Sequence, residues 1–542
     1  MEPGPPPPDQ GPPPEATDRD RRSLPVAVVL VAILVLATGS LIVRPLPSVA
    51  DKPIAEDGYY ALAVARHIAL GHGITIDGRT PTSGFQPLFT FLTVPAFVLT
   101  GGDRHTSLRL VLVLHWLFFA GTASLLGLIA RDALTSQPPA RRSLYGWLTA
   151  FMYLAGVGPF LNAFNGLETG CLLFCYALAW RHYQVRGTAR WLDLTALGAL
   201  LGVTVLARID AVFLVVAACL YLVLRGEGES RFVIRIARAA VVGIVAFIVS
   251  LPWWLYNLMV FGSLMPSSGA AQQYWTLSGQ RALAALRYGL QLTIPAIYTP
   301  HLSRFDSLAA DLVRGGLTVA VALLLWHHRR RVAGPAGGDR RERGLAFAGI
   351  VLATCLMLVA WYALSSHSTH FYRRYFAPIS LLAPSALGYL LLAAIARAPR
   401  GALVLCAVAG LPLLGSMALL HGGGLWANRV EHNPMYTEQL PLVQECVPKE
   451  AVVAAGQSGT LGYFCDRVVN LDGKVNREAL DHQNDMWHYL RERGIRWVCD
   501  WPPIADRYLG PRPVERGWHQ VAQKGSFVLW HQEPIPAGAP QR

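Results

Sequence analysis

Charged residues are scarce in this chain: they make up 15% of 542 residues, against 53% hydrophobic, with a mean hydropathy of +0.35. That balance excludes an ordinary soluble enzyme, whose composition carries roughly a quarter charged residues. Also missing is any glycine-rich phosphate loop or dinucleotide fingerprint, which argues against ATP or a soluble nucleotide as ligand. In the polar C-terminal region no cysteine pair has zinc-site spacing. Of the eight cysteines, Cys171, Cys175, Cys219, Cys355 and Cys406 fall in apolar blocks, where Cys acts as a small buried hydrophobe. Cys446, Cys465 and Cys499 lie in the polar C-terminal region, where one disulfide plus a thiol, or three thiols, are both open. The net charge of +13 is spread over short loops rather than gathered in one patch, which excludes a nucleic-acid partner.

What is present is a series of apolar blocks, most of them near the ~20 residues a spanning helix needs. Residues 1–23, rich in Pro, Gly and Asp, read as a disordered cytoplasmic tail. Leu24–Val43 follows Arg19, Arg21 and Arg22 and reads as a first span rather than a cleaved signal peptide. Further spans are expected near 107–130, 144–161, 167–183, 191–207, 209–225, 236–256, 309–327, 345–364, 376–396 and 402–420. About eleven helices thus make up a mostly α, polytopic domain over 24–420.

Threaded from an inside N-terminus, the basic connections fall on one side: Arg131–Arg142, Arg181–Arg190, Arg225–Arg238, His327–Arg343 and Arg397–Arg400. This is the positive-inside pattern and predicts a multi-pass protein of the cytoplasmic membrane. Counting Pro87–Thr100 as a span would invert it, so that stretch is expected to be an interfacial helix within an outer loop, 44–106. An odd number of spans leaves 421–542 outside. There Ala451–Ala455, Val468–Leu471, Ile495–Asp500 and Phe527–Trp530 read as strands, with Asp481–Arg493 a helix, giving a small extracytoplasmic α/β domain.

The first outer loop carries Glu56-Asp57-Gly58-Tyr59-Tyr60 and Ser83-Gly84-Phe85-Gln86-Pro87. Adjacent carboxylates beyond a span can deprotonate an acceptor hydroxyl or bind a metal that does so. The plainer alternative is an acidic pair at a helix N-terminus, favoured by the macrodipole. Asn162, Asn165 and Glu168 fall at a second outer turn, Arg208 and Asp210 at a third. His367, His370, Tyr372, Arg373, Arg374 and Tyr375 precede a later span on the same side. Ionisable groups at membrane depth tend to mark sites, and clustered arginines there suit a phosphate. A local Arg208–Asp210 ion pair and headgroup snorkelling by Arg373 and Arg374 are the structural alternatives.

These motifs, in this order, resemble the GT-C superfamily of membrane glycosyltransferases, especially bacterial members akin to protein O-mannosyltransferases and aminoarabinose transferases. The series runs from Glu56-Asp57-Gly58-Tyr59-Tyr60 and Gly84-Phe85-Gln86-Pro87-Leu88 through Gly166-Leu167-Glu168-Thr169 and Ala207-Arg208-Ile209-Asp210-Ala211. It continues with Pro252–Asn257, Phe261–Pro266 and Arg374-Tyr375-Phe376, then Gly459–Phe464 and Val469–Gly473 outside the membrane.

The resemblance implies a polyprenyl-phosphate sugar donor, a glycan, lipid or protein acceptor, and inverting transfer. It also implies an acidic base in the first outer loop. The family pattern there is Asp-Asp or Asp-Glu; here it is Glu-Asp, leaving Asp57 and Glu56 as the two candidates. Glu168, Arg208, Asp210, His370, Arg373, Arg374, Tyr375, Tyr59 and Gln86 are the expected substrate-binding residues. A divalent metal is left open as cofactor, and the outer domain is expected to select acceptor without supplying catalytic groups. The rival expectations are a lipid or glycan transporter and a non-catalytic scaffold. Both leave the ordered outer polar residues less well explained.

Overall fold

The computed structural model describes residues 18–225, 231–272, 278–293, 316, 339–365, 371–397 and 434–533. Five helices are long and apolar enough to cross a bilayer: Asp18–Val43, Arg104–Ala133, Phe232–Phe261, Asp339–Ser365 and Ala377–Ala396. The expected count of eleven is not reached among the described residues. Expected span 402–420, and 309–327 apart from residue 316, lie outside them. The run 144–161 breaks into Pro139–Leu154 and Val157–Ala163, with Gly156 at the break. Trp191–Ala207 forms as expected, whereas 209–225 opens with a 3-10 turn, Ile209–Ala211, before Val212–Leu224.

The first helix begins at Asp18 rather than Leu24, which corrects the expectation of disorder up to residue 23. Asp18 and Asp20 in its first turn complement the positive end of the helix dipole, and Arg19 donates to the Ala396 carbonyl.

Close approach of the membrane helices depends on small residues. Gly198 and Gly202, four apart on Trp191–Ala207, lie against Phe232–Phe261. A Cβ on Gly202 would sit 2.7 Å from the Ala246 carbonyl oxygen, and one on Gly198 would sit 2.9 Å from that of Val242. This is the small-xxx-small contact by which helices associate in lipid, where burial of apolar surface supplies little drive. On the other side of Phe232–Phe261, Ile244, Phe247, Ile248 and Met259 are exposed, as a lipid-facing surface requires.

Arg104–Ala133, about 45 Å long at 1.5 Å per residue, has charge at both ends. At one end Arg104 pairs with Asp466 of the C-terminal domain at 2.6 Å. At the other, buried Asp132 is ringed by Arg131, Arg142, Arg181 and Arg340.

The C-terminal domain holds a five-stranded sheet. Its strands are β1 Val453–Ala455, β2 Val468–Asn470, β3 Trp497–Asp500, β4 Trp518–Lys524 and β5 Phe527–Gln532. They lie in the order β2-β1-β3-β5-β4, parallel across β2-β1-β3 and antiparallel beyond. Strand β4 is not among the expected strands: it is an edge strand with a largely solvent-facing, polar sequence. The expected helix Asp481–Arg493 is two short ones, Arg477–Asp481 and Met486–Glu492. Cys446, Cys465 and Cys499 are free thiols.

This domain sits on the first outer loop through several polar clamps. Asp51 accepts from the Tyr436 and Thr437 amides, and Asp466 also pairs with Arg66 at 2.9 Å.

Candidate active site

Where the sheet domain meets the helices there is a cavity of about 460 Å³, in the range of small-molecule sites. Its walls come from separate parts of the chain: the loop 44–106, the turns at Glu168 and Arg208–Asp210, Met265–Gln272, Trp361, Tyr362, Ser365, Arg374 and Tyr375, and the sheet domain.

Asp57 is the N-cap of helix Gly58–Ala69, but its side chain makes no capping hydrogen bond. It turns into the cavity instead. One carboxylate oxygen lies 3.0 Å from Lys474 Nζ and the other 3.3 Å from Arg374 Nη1. The helix N-terminus reading therefore describes the backbone position and not what the carboxylate does. Gly58 is needed beside it: a Cβ there would lie 2.8 Å from the Asn165 carbonyl oxygen. That contact, with the Ala55 amide donating to the same carbonyl at 2.8 Å, brings the Gly166-Leu167-Glu168 turn against Asp57. Glu168 lines the cavity and is buried; its carboxylate makes no hydrogen bond or ion pair among the described residues.

Glu56 faces the other way. One carboxylate oxygen accepts the Gly459 amide and the other is buried without a hydrogen-bond partner. Burial first, and then the neighbouring Asp57 charge, raise its pKa well above the ordinary carboxyl value. Adjacent in sequence, the two acids differ in surroundings and in direction.

Arg208 is 3% exposed and its donors are engaged by protein. It forms a two-pronged pair with Asp210, Nε to Oδ1 at 2.8 Å and Nη2 to Oδ2. It also donates to the carbonyls of Arg374 at 2.7 Å and Tyr375 at 3.0 Å. Tyr362, stacked on Tyr375 with ring centroids 4.0 Å apart, donates to Asp210 at 2.8 Å. The Arg208–Asp210 pair thus holds the backbone that presents Arg374 to the cavity. Gln86 accepts from the Ile209 amide at 3.3 Å and ties the first outer loop to the same turn.

Of the residues expected at the site, Asp57, Gln86, Glu168, Arg208, Asp210, Arg374 and Tyr375 line this one cavity. Tyr59 does not: its hydroxyl donates to the Ala50 carbonyl at 2.7 Å and its ring packs on Tyr463. The next residue, Tyr60, lines the cavity instead. Arg373 turns its guanidinium over the Tyr288 ring at 5.5 Å. His367 and His370 lie outside the described residues.

Lys474 is not singled out by sequence reasoning, and it belongs to the domain expected to select acceptor without supplying catalytic groups. The only sequence signal near it is the Asp472-Gly473 turn that closes the last motif. Burial would lower its pKa, but the carboxylates of Asp57, Asp472 and Glu56 outweigh this and raise it, so it is a cation.

Among the described residues no three His, Cys, Asp or Glu side chains are grouped as metal ligands, and both Asp57 oxygens face cations. This donor set does not fit a divalent ion.

No protein-family model matches the chain, and neither does any curated protein. Solved structures do. ArnT from Cupriavidus metallidurans bound to undecaprenyl phosphate superposes with a TM-score of 0.59 at 15% identity, over 96% of this chain and 100% of that one. The apo state of the same protein gives 0.51 at 16% identity, over 95% and 100%. The oligosaccharyltransferase AglB from Archaeoglobus fulgidus, in complex with an inhibitory peptide and a dolichol-phosphate, gives 0.49 at 14% identity, over 95% and 75%. At these identities the likeness is one of fold, and over nearly its whole length the chain has the GT-C-like membrane fold of ArnT.

Proposed function

We propose that this protein is a glycosyltransferase that moves a monosaccharide from a polyprenyl-phosphate donor to a cell-envelope glycan, lipid or protein. The observation that carries this reading is Asp57, facing a cavity between two cations. ArnT, which shares the fold, binds undecaprenyl phosphate, the class of carrier proposed here. Val212 and Phe213 of Val212–Leu224 and Trp361 of Asp339–Ser365 line the cavity, an apolar wall along which a prenyl chain would lie.

In the proposed step Asp57 takes the proton of the acceptor hydroxyl. The acceptor oxygen attacks the anomeric carbon from the face opposite the phosphate, and the bond from that carbon to the phosphate oxygen breaks. The electron pair leaves on the polyprenyl phosphate, and the configuration inverts. A phosphate leaves without protonation if its growing charge meets fixed cations; Arg374 is placed for this, with Arg208 and Asp210 holding its backbone. Glu168 is assigned to sugar or acceptor hydroxyls, since its carboxylate has acceptor capacity left.

Arginines around Asp132, at the far end of Arg104–Ala133, support an orientation with that end cytoplasmic and the sheet domain outside, in the cytoplasmic membrane. In this arrangement 24–420 is the catalytic membrane domain and 421–542 the extracytoplasmic one.

The test is incubation of the purified full-length protein with a panel of radiolabelled polyprenyl-phosphate sugars and a cell-envelope extract. Transfer of label by the wild type and not by Asp57→Asn supports the reading. Absence of transfer and of donor cleavage across the panel, by folded protein, would sink it.

A further inference from the structure

The loop that follows β2 is built to deliver one ammonium group. Asn470, the last residue of β2, accepts the Gly473 amide at 3.0 Å, and its carbonyl accepts from Asn476 at 3.0 Å. Gly473 takes a positive φ of 79°, a conformation that favours glycine, and this turns Lys474 toward the helices. The Lys474 carbonyl then accepts the Ser267 hydroxyl at 2.8 Å, and Gly84 packs so closely that a methyl group there would overlap that carbonyl. With its backbone held from two sides, Lys474 puts Nζ 3.0 Å from Asp57 and 3.2 Å from Asp472. It lies 5.5 Å from the centre of the Phe371 ring, over which the Arg374 guanidinium also lies, at 4.7 Å.

Among the described residues, the charged side chains lining the cavity are Asp57, Glu168 and Asp210 against Arg208, Arg374 and Lys474, a set that sums to zero. Arg208 and Asp210 satisfy each other. An entering phosphate therefore finds two cations, and Asp57 already engages both. Each Asp57 oxygen keeps a lone pair that an acceptor hydroxyl can reach, but a phosphate cannot be held unless a cation turns to it from Asp57. One exchange meets this need and leaves an Asp57 oxygen clear for the acceptor. Lysine suits it: the ammonium is a compact charge on a flexible four-carbon stem, without the fixed fork of arginine. Lys474 is one of four lysines in the chain and the one that lines this cavity among the described residues.

We infer that Lys474 of the sheet domain is a phosphate ligand of the donor site, which it reaches by leaving Asp57. The inference rests on the donor reading above. In the empty site Lys474 screens Asp57; with donor present it moves to the phosphate and frees Asp57 for the acceptor proton. The phosphodiester of the donor carries one negative charge and the departing monoester up to two, so the contact strengthens as the sugar–phosphate bond breaks. The catalytic site is then incomplete without the C-terminal domain.

The test measures binding of farnesyl phosphate and of farnesol to the full-length protein in lipid nanodiscs, using wild type, Lys474→Gln, Lys474→Arg, Asp57→Asn and the double variant Asp57→Asn/Lys474→Gln. Loss of a charge-assisted contact predicts roughly tenfold or more weaker farnesyl phosphate binding in Lys474→Gln. Farnesol binding should stay unchanged, and Lys474→Arg should retain most of the phosphate affinity. Removing the competing carboxylate in Asp57→Asn should tighten farnesyl phosphate binding several-fold, and the double variant should lose that gain. A lysine serving only to hold the two domains together leaves farnesyl phosphate affinity unchanged in Lys474→Gln, and any tightening in Asp57→Asn, coming from Arg374, then persists in the double variant.

Wild-type affinity for farnesyl phosphate in Lys474→Gln, or tightening that persists in the double variant, would overturn the inference while leaving the donor reading in place. Failure of the wild type to distinguish farnesyl phosphate from farnesol would instead remove the donor reading, and this inference with it. Should Lys474→Gln not fold, Lys474→Arg and Asp57→Asn still decide: unchanged affinity in Asp57→Asn counts against the exchange.

Discussion

Two carboxylates near opposite ends of the helix bundle sit among cations, and they do different things. Asp132 is 1% exposed and lies within 3.6 Å of four arginines. It pins the ends of several helices and does not line the cavity at Asp57. Asp57 meets two cations and opens on a cavity of about 460 Å³. Charge clustering alone therefore does not mark a site. Room beside the charge, and partners able to turn to a ligand, distinguish the second cluster from the first.

The sharpest way to break this comparison is to neutralise each carboxylate in turn. Asp57→Asn should lower turnover roughly 10²–10⁴-fold, the contribution of a general base, with the protein still folded; turnover with a confirmed donor measures it. Asp132→Asn should behave in the opposite manner, costing about 2 kcal/mol of stability by removing the shared charge of a buried carboxylate from four partly exposed arginines. Turnover per folded molecule should hardly change, and thermal unfolding beside activity assays separates the two effects. Equal loss of turnover in both variants would erase the distinction.

A smaller effect is expected at Arg374. Arg374→Ala should weaken binding of a polyprenyl phosphate by about 10–100-fold through loss of a charged partner, read by titration. Arg208→Lys should disturb both donor binding and stability, since a lysine cannot reproduce the fork to Asp210 together with the two carbonyl contacts.

The smallest effect concerns Glu56. Its pKa in the folded protein is raised above the unfolded value, so the native state holds a proton that the unfolded chain releases. Stability from this group is fully present below the ordinary carboxyl pKa and is lost as pH rises through the folded value. Glu56→Gln should flatten that decline. The drop in unfolding temperature between pH 5 and pH 8 should be smaller in the variant than in the wild type, and an equal drop would mean that Glu56 is ionised in the fold.

Much of the site is legible in the order of residues along the chain. Asp57, Gln86, Glu168, Arg208, Asp210, Arg374 and Tyr375 are recognisable because each is a polar residue at the end of an apolar block. Such residues stand out where charge is expensive. Tyr59 and Tyr60 are harder to tell apart: adjacent residues on a helix point about 100° apart, and only packing decides that Tyr60 faces the cavity. Strand β4 escapes notice because an exposed edge strand needs no apolar alternation.

By itself the sequence determined that the chain is a membrane protein with an ordered set of polar motifs between its apolar blocks. Hydrophobic length and charge placement are local quantities, readable residue by residue. Tertiary structure alone decided which acid of the Glu56-Asp57 pair faces the cavity, because neighbours from distant segments set the direction of each. It also decided that Arg208 is engaged by protein while Arg374 meets Asp57. Lys474 shows the limit most clearly. It lies 417 residues from its partner Asp57, and no local pattern can announce an ion pair that exists only when the sheet domain docks on the first outer loop.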